Sequence, residues 1–216
     1  MNCTSIENKK RGDRVMQKES IELHVMWHID ALIHSFPVTI VTTMDEQGRI
    51  NAAPYSLVVP FCSSPKNPQM LLISNKKWHT AKNIEETGEF VLNYPRADQI
   101  REINETARFY PKGFNELDHT DYTTTPAKYV RPPRIVECYQ HIECRVKETI
   151  RPSQIQLNFI AEVLDLSLDK GLYEIPRVER AKKVNAPVFL GVDEQRHHVF
   201  GKINEIDSVP VDLGVD

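Results

Sequence analysis

The sequence predicts a mainly β domain that closes, wholly or in part, into a barrel with short flanking helices. Three observations predict it. Most apolar residues alternate with polar ones or gather in short β-branched runs, as strands require. Turn signals separate those runs at close spacing. Only one helix carries clear start and stop signals. Neither G-x-G-x-x-G nor G-x-x-x-x-G-K-[ST] occurs in a chain with eight glycines, which argues against Rossmann and P-loop folds.

Taken in order, residues 1–20 read as a mobile tail, because charges dominate and apolar residues stand alone. Residues 21–33 fit two patterns: Ile21, Leu23, Val25 and Trp27 alternate like a strand, whereas Trp27, Ala31 and Ile33 share a helix face. Residues 37–43 (PVTIVTT) are β-branched, and DEQGR makes a tight turn centred on Gln47 and Gly48. A short polar segment, Asn51-Ala52-Ala53-Pro54-Tyr55-Ser56, follows. MLLIS at 70–74 and EFVLN at 89–93 are strands on either side of the marked helix. That helix has Thr80 as its N-terminal cap and Gly88 as its left-handed C-terminal cap. A second helix is expected over 97–109. RIVECYQHIECRVKETI and QLNFIAEVLDLSL form a pair of long strands, and PVFLGVDEQRHHVFGKI a terminal hairpin turning at 193–196. The domain is placed at 21–205, with a C-terminal tail at 206–216.

Composition removes several functions. The net charge is −3, so there is no polyanion-binding surface and nucleic acid is not an expected partner. No apolar run reaches the ~20 residues of a membrane span, and the first twenty residues lack a signal-peptide core, so a cytoplasmic protein is expected. Cys3, Cys62, Cys138 and Cys144 are too scattered for a disulfide framework. Cys138 and Cys144 share a face if their segment is one strand, and buried thiols are the favoured reading. His24, His28 and His34 are irregularly spaced, and His197-His198 reads as a solvated pair, so no metal site is expected. Tyr110, Phe114 and Tyr122 fit either a pocket wall or loop packing.

Two segments carry candidate chemistry. At the start of the marked helix, unpaired backbone amides make an anion site. Lys76 and Lys77 add charge beside it, Ser74 and Thr80 add hydroxyl donors, and the set suits a terminal phosphate. The plain alternative is a surface lysine pair before an ordinary helix. In the other segment, small residues at 52–54 leave room for backbone to approach a planar ring, assisted by Asn51 and Ser56. A plain polar strand edge explains that segment too.

The order of these features is more specific than either one, and here the chain resembles the flavin reductase-like, FMN-binding split-barrel family. The matching elements are P-V-T-I-V-T-T-M-D-E-Q-G-R-I-N-A-A-P-Y-S, then T-A-K-N-I-E-E-T-G-E-F-V-L-N, Y-P-K-G-F-N-E-L, V-R-P-P-R-I-V-E-C, I-E-C-R-V and I-A-E-V. The resemblance implies a Greek-key barrel that dimerises, with one FMN per subunit near the interface. By position, Asn51, Ala52, Ala53, Pro54, Tyr55 and Ser56 face the ring and ribityl chain. Ser74, Lys76, Lys77 and Thr80 hold the phosphate, with Asn83 nearby. The implied reaction is hydride transfer from NADH or NADPH to the flavin, which carries the chemistry without a catalytic side chain. A redox protein partner is the implied alternative to nicotinamide. Many members have a longer basic loop ending Lys-Asp-Thr where this chain has Trp78-His79-Thr80, and Trp78 either stacks on the cofactor or packs beside the barrel. Leu157 stands where many have His or Thr, and Ala161 replaces a glycine.

Overall fold

The computed structural model describes residue 20 and residues 34–208. The expected N-terminal tail up to residue 19, the two-way segment 21–33 and the end of the C-terminal tail, 209–216, lie outside the described residues.

Twelve strands and three α-helices are described: β1 Phe36–Pro37, β2 Thr39–Met44, β3 Ile50–Tyr55, β4 Val58–Cys62, β5 Gln69–Asn75, α1 His79–Thr87, β6 Glu89–Tyr94, α2 Ile100–Glu105, β7 Thr124–Thr125, β8 Arg134–Ile135, β9 Gln140–Ile150, β10 Gln156–Leu168, α3 Arg177–Val184, β11 Val188–Val192 and β12 His198–Gly201. Seven strands form one antiparallel sheet in the order β3-β2-β6-β9-β10-β5-β4. It curls into the half-barrel of a split-barrel fold. Register shifts at Ile160/Ala161 and Val163/Asp165 interrupt the long β9–β10 pair. Such bulges bend a strand and increase its twist, which is how thirteen residues of β10 follow a curved surface.

Local sequence explains the main elements. TIVTTM is five-sixths buried and β-branched, suiting a central strand between β3 and β6. Asp45 closes the β2–β3 turn by accepting from the backbone amides of Gln47 and Arg49 at 3.0 and 2.9 Å. Gly48, at φ 81°, supplies the left-handed residue that turn needs. Gly88, at φ 71°, ends α1 as expected, its amide donating to the Ile84 carbonyl at 2.8 Å. The polar segment 51–56 is largely strand: β3 pairs with β2 along its whole length.

Because neighbouring strand residues face opposite ways, Ile40 and Val41 enter different cores. Val41 joins Leu72, Ile84, Phe90, Leu157 and Phe159 on the α1 side. Ile40 joins Val38, Ala52, Ile103, Leu117 and Ile135 on the other. The two cysteines are divided in the same way, Cys144 in the first cluster and Cys138 in the second. They do not share a face, because Cys138 precedes β9 and lies in a turn. Both thiols are buried, and burial raises their pKa, as inert packing groups require.

The helix expected over 97–109 is shorter and divided, into a 3-10 turn at Ala97–Gln99 and α2. The Thr106 hydroxyl donates to the Ile103 carbonyl at 2.9 Å, and the next two amides reach back only three residues, so the helix tightens and stops. The terminal hairpin β11–β12 is present, and β1 adds to it through Phe36↔Phe189. Within it, His198 is not simply solvated: it meets Phe189 and Phe200 edge-on and lies 2.9 Å from Asn104 Oδ1.

A buried ionic clasp ties the 126–135 loop to the sheet. Glu143 on β9 is fully buried and accepts from the amides of Lys128 and Tyr129 at 2.8 and 2.6 Å and from the Arg134 guanidinium, which also reaches Asp165 at 2.9 Å.

Candidate functional site

The site is assembled where β3, the end of β5 and the start of α1 meet. The connection 75–78 is pinned by its backbone: Lys76 N–H donates to the Ile155 carbonyl (2.9 Å), Lys77 N–H to Asn75 Oδ1 (2.9 Å) and Trp78 N–H to the Asn75 carbonyl (3.0 Å). The Lys76 and Lys77 side chains are left exposed. The residue that caps α1 is Trp78, at φ −74° and ψ 149°, not Thr80; no side chain caps the helix and no acidic residue occupies its first turn. Thr80 lies two residues past the cap position, since the backbone is already helical at His79. The first helical bond runs from Lys82 N–H to the Trp78 carbonyl (3.2 Å), so the amides of His79, Thr80 and Ala81 have no intrahelical partner. This uncapped start beside two lysines is more receptive to an anion than a capped one.

Behind it runs a chain of buried polar side chains. Asn51 Nδ2 donates to Thr80 Oγ1 at 3.1 Å. Tyr55 Oη and Ser74 Oγ are 2.7 Å apart. Burial pushes the Tyr55 phenol up to about 12, against the opposing effect of the Ser74 and Thr80 hydroxyls. Asn51, Tyr55, Ser74 and Thr80 are all buried, at 6%, 4%, 3% and 1% exposure. Four residues from three separate stretches of sequence are therefore brought together.

The remaining candidates are arranged differently. Asn83 is buried and donates to Thr43 Oγ1 on β2 at 3.1 Å, so it fastens α1 to the sheet, and it lines a small cleft with Asn51 and His79. Ala53, Pro54 and Ser56 are half-buried, and Ala52 is fully buried. Trp78 packs edge-on against Tyr55, ring centroids 5.7 Å apart, yet remains 41% exposed, so it contributes to the barrel wall and still offers ring surface. His79 lines a cleft of about 10 Å³ with Asp45, Arg49, Asn51 and Lys112. Burial, then repulsion from Lys82 and Lys112, lowers its pKa, leaving the imidazole neutral at pH 7. The cleft has room for about one water. Leu157 lies in the apolar core, paired in register with Ser74.

One residue of this site was not foreseen from the sequence. Glu116, in a 3-10 turn at Glu116–His119, is buried, and its Oε2 accepts the Ala52 amide at 2.8 Å. Turning the Asn51 amide by half a rotation satisfies both of its ends: its nitrogen donates to Glu116 Oε1 at 3.3 Å, and its oxygen accepts from Thr80 Oγ1 at 3.1 Å and from the Ala52 N–H at 3.2 Å. Burial raises the Glu116 pKa, against the opposing effect of the Ala52 amide and its own. Since Pro54 has no N–H and the Ala52 amide is taken, β3 offers no free backbone donor at those two positions. The only signal was the motif Y-P-K-G-F-N-E-L, in which Asn115 caps the turn by accepting from the Leu117 amide.

These donors fit a flat, phosphorylated cofactor. Exposed ammonium groups and unpartnered helix amides suit a phosphate, and an exposed indole beside a strand of small residues suits a planar ring. Among the described residues no three His, Cys, Asp or Glu side chains converge on a metal site. No described helix is long and apolar enough to cross a membrane.

A family model described as the flavin reductase like domain matches residues 32–182. A protein of Methanothermobacter thermautotrophicus (strain Delta H) is 34% identical over 111 residues, which cover 51% of this chain and 51% of that one. The chain thus spans about half the length of that relative. Nitrilotriacetate monooxygenase component B from Bacillus cereus superposes with a TM-score of 0.78 at 23% identity, over 90% of this chain and 100% of that one. Flavoredoxin of Desulfovibrio vulgaris (Miyazaki F) gives 0.72 at 20% identity, over 92% and 100%. At these identities the solved structures carry the fold, the split barrel.

Proposed function

The chain belongs to the flavin reductase-like domain family, and from that premise we propose that it is an FMN-binding oxidoreductase that reduces flavin or another small acceptor with NADH or NADPH. The observation that carries this reading is the uncapped start of α1 beside Lys76 and Lys77, backed by the buried chain of Ser74, Tyr55, Thr80 and Asn51. Bound FMN supplies the hydride and electron chemistry. Lys76, Lys77 and the first-turn amides of α1 hold its phosphate, with Thr80 and Ser74 behind them. Strand β3, from Asn51 to Tyr55, and Ser56 form the wall along the ring and ribityl chain, and Trp78 flanks the ring. Asn83 keeps the helix start in place through Thr43. The acting unit is the domain at 21–205, in the cytoplasm.

The test is direct. FMN added to the purified protein should give a tight yellow complex, and NADH or NADPH should bleach it under argon. No flavin binding overturns the reading. A second reading has its own observation: Leu157 is 1% exposed and apolar, so it offers a nicotinamide no hydrogen bond. On that reading the protein is an FMN electron carrier that docks a redox protein. Bleaching by dithionite but by neither nicotinamide selects it.

A homodimer is part of the proposal. A ring seated against one wall of a half-barrel needs a second wall to exclude water, and a two-fold partner supplies one. Light scattering should give twice 24.9 kDa; a monomer that retains FMN rejects the dimer.

A further inference from the structure

We propose that Glu116 is a proton-linked positioning residue of the flavin site, whose proton sets the direction of the hydrogen-bond chain Glu116–Asn51–Thr80. The proposal rests on the FMN reading above and deepens it.

The geometry supports two hydrogen-bonding patterns on nearly the same heavy-atom positions, of which the second sets Asn51 Nδ2 beside the Ala52 N–H that Glu116 Oε2 holds. With Glu116 ionised, Oε2 takes the Ala52 N–H, Oε1 takes the Asn51 NH₂ group at 3.3 Å, and the Asn51 oxygen accepts from the Thr80 hydroxyl at 3.1 Å. The Thr80 hydrogen is then consumed. With Glu116 protonated on Oε1, its O–H donates to the Asn51 oxygen. The amide turns over, and Asn51 Nδ2 donates to Thr80 Oγ1 at 3.1 Å. The Thr80 hydrogen is then freed from Asn51. One proton has been added and no covalent bond to carbon has changed.

The surroundings leave Glu116 free to respond. It is 4% exposed. The element packed on its turn is β3, whose only titratable side chain is Tyr55, protonated in the ordinary range. Asp118 and His119 on its own turn are exposed. Arg49, next to β3, is paired with Asp45 at 2.7 Å, and His79 on α1 is neutral at pH 7. The shift of Glu116 has no charged neighbour among its causes. An anionic phosphate at the helix start therefore favours the protonated pattern twice: it gains the Thr80 donor and meets one buried negative charge fewer. By linkage, FMN binding draws a proton onto Glu116.

Glu116→Gln tests this, because its NH₂ group mimics the protonated carboxyl while its oxygen still takes the Ala52 amide. Calorimetric titration with FMN in two buffers of different ionisation enthalpy should show greater proton uptake by the wild type than by the variant between pH 5 and 8.5. The variant should bind FMN about tenfold more tightly than wild type at pH 8 and equally at pH 5. Riboflavin, which lacks the phosphate, should show neither difference. Equal proton counts and equal affinities in the two proteins overturn the proposal, as does weaker FMN binding by the variant. A second measurement needs no flavin: in the free wild-type protein, the Asn51 side-chain amide should titrate in NMR with the same midpoint as the Glu116 carboxyl carbon. An Asn51 amide insensitive to that titration also overturns it. If FMN fails to bind at any pH, the functional reading falls, and the NMR result still decides the relay.

Discussion

Replacing both Lys76 and Lys77 by alanine should weaken FMN binding by about 2–4 kcal/mol, one to three powers of ten in Kd, and leave riboflavin binding nearly unchanged. Each lysine contributes a charge-assisted contact to the phosphate, but both side chains are exposed, so solvent screening keeps the loss at the lower end of what two buried contacts would give. The fold should survive, because the connection 75–78 is held by backbone bonds to Ile155 and Asn75, which alanine retains. Unchanged melting with lost FMN affinity is the expected pair of results. The loss should also shrink as salt rises. Undiminished FMN affinity in the double variant would put the phosphate elsewhere.

Arg134→Ala should have the largest effect on stability, about 3–5 kcal/mol, read as a lowered urea midpoint. Truncation leaves the Glu143 carboxylate fully buried without its guanidinium. Burial alone would raise the Glu143 pKa, but the amides of Lys128 and Tyr129 and the Arg134 charge outweigh it and hold it below the ordinary value. A carboxyl whose pKa is depressed in the fold adds stability that is complete above its unfolded pKa, about 4.3, and is lost as pH falls through the folded value. The gap between wild type and variant should therefore be widest near neutrality and narrow in acid, where Glu143 is protonated in both. A gap that stays constant into acid would assign the cost to lost packing of the arginine stem.

Much of the fold is legible because its signals are local. Alternation in QLNFIAEVLDLSL marks β10, and Gly48 and Gly88 stand where positive φ is needed. The candidate site is legible in parts. Asn51, Tyr55, Ser74 and Thr80 do converge, but the helix cap was misjudged: a threonine near a helix start suits the cap, yet the residue still in extended geometry is Trp78. Glu116 was out of reach, since a glutamate in a polar loop is exposed by default and its burial depends on an amide 64 residues away in sequence. The division of Cys138 from Cys144 was equally hidden, because six-residue spacing implies one face only if the strand is unbroken.

The contact between Glu116 and Ala52 has a consequence beyond the site. Strand β3 is the last strand on its side of the sheet, and last strands invite pairing by other chains. Here one outward amide is capped by a carboxylate and the next such position is Pro54, which has none. That border is sealed by side-chain chemistry. The opposite border, β4, carries exposed Val59 and Phe61. Strand addition at β3 therefore meets no free amide at either position, whereas along β4 only Pro60 lacks an N–H.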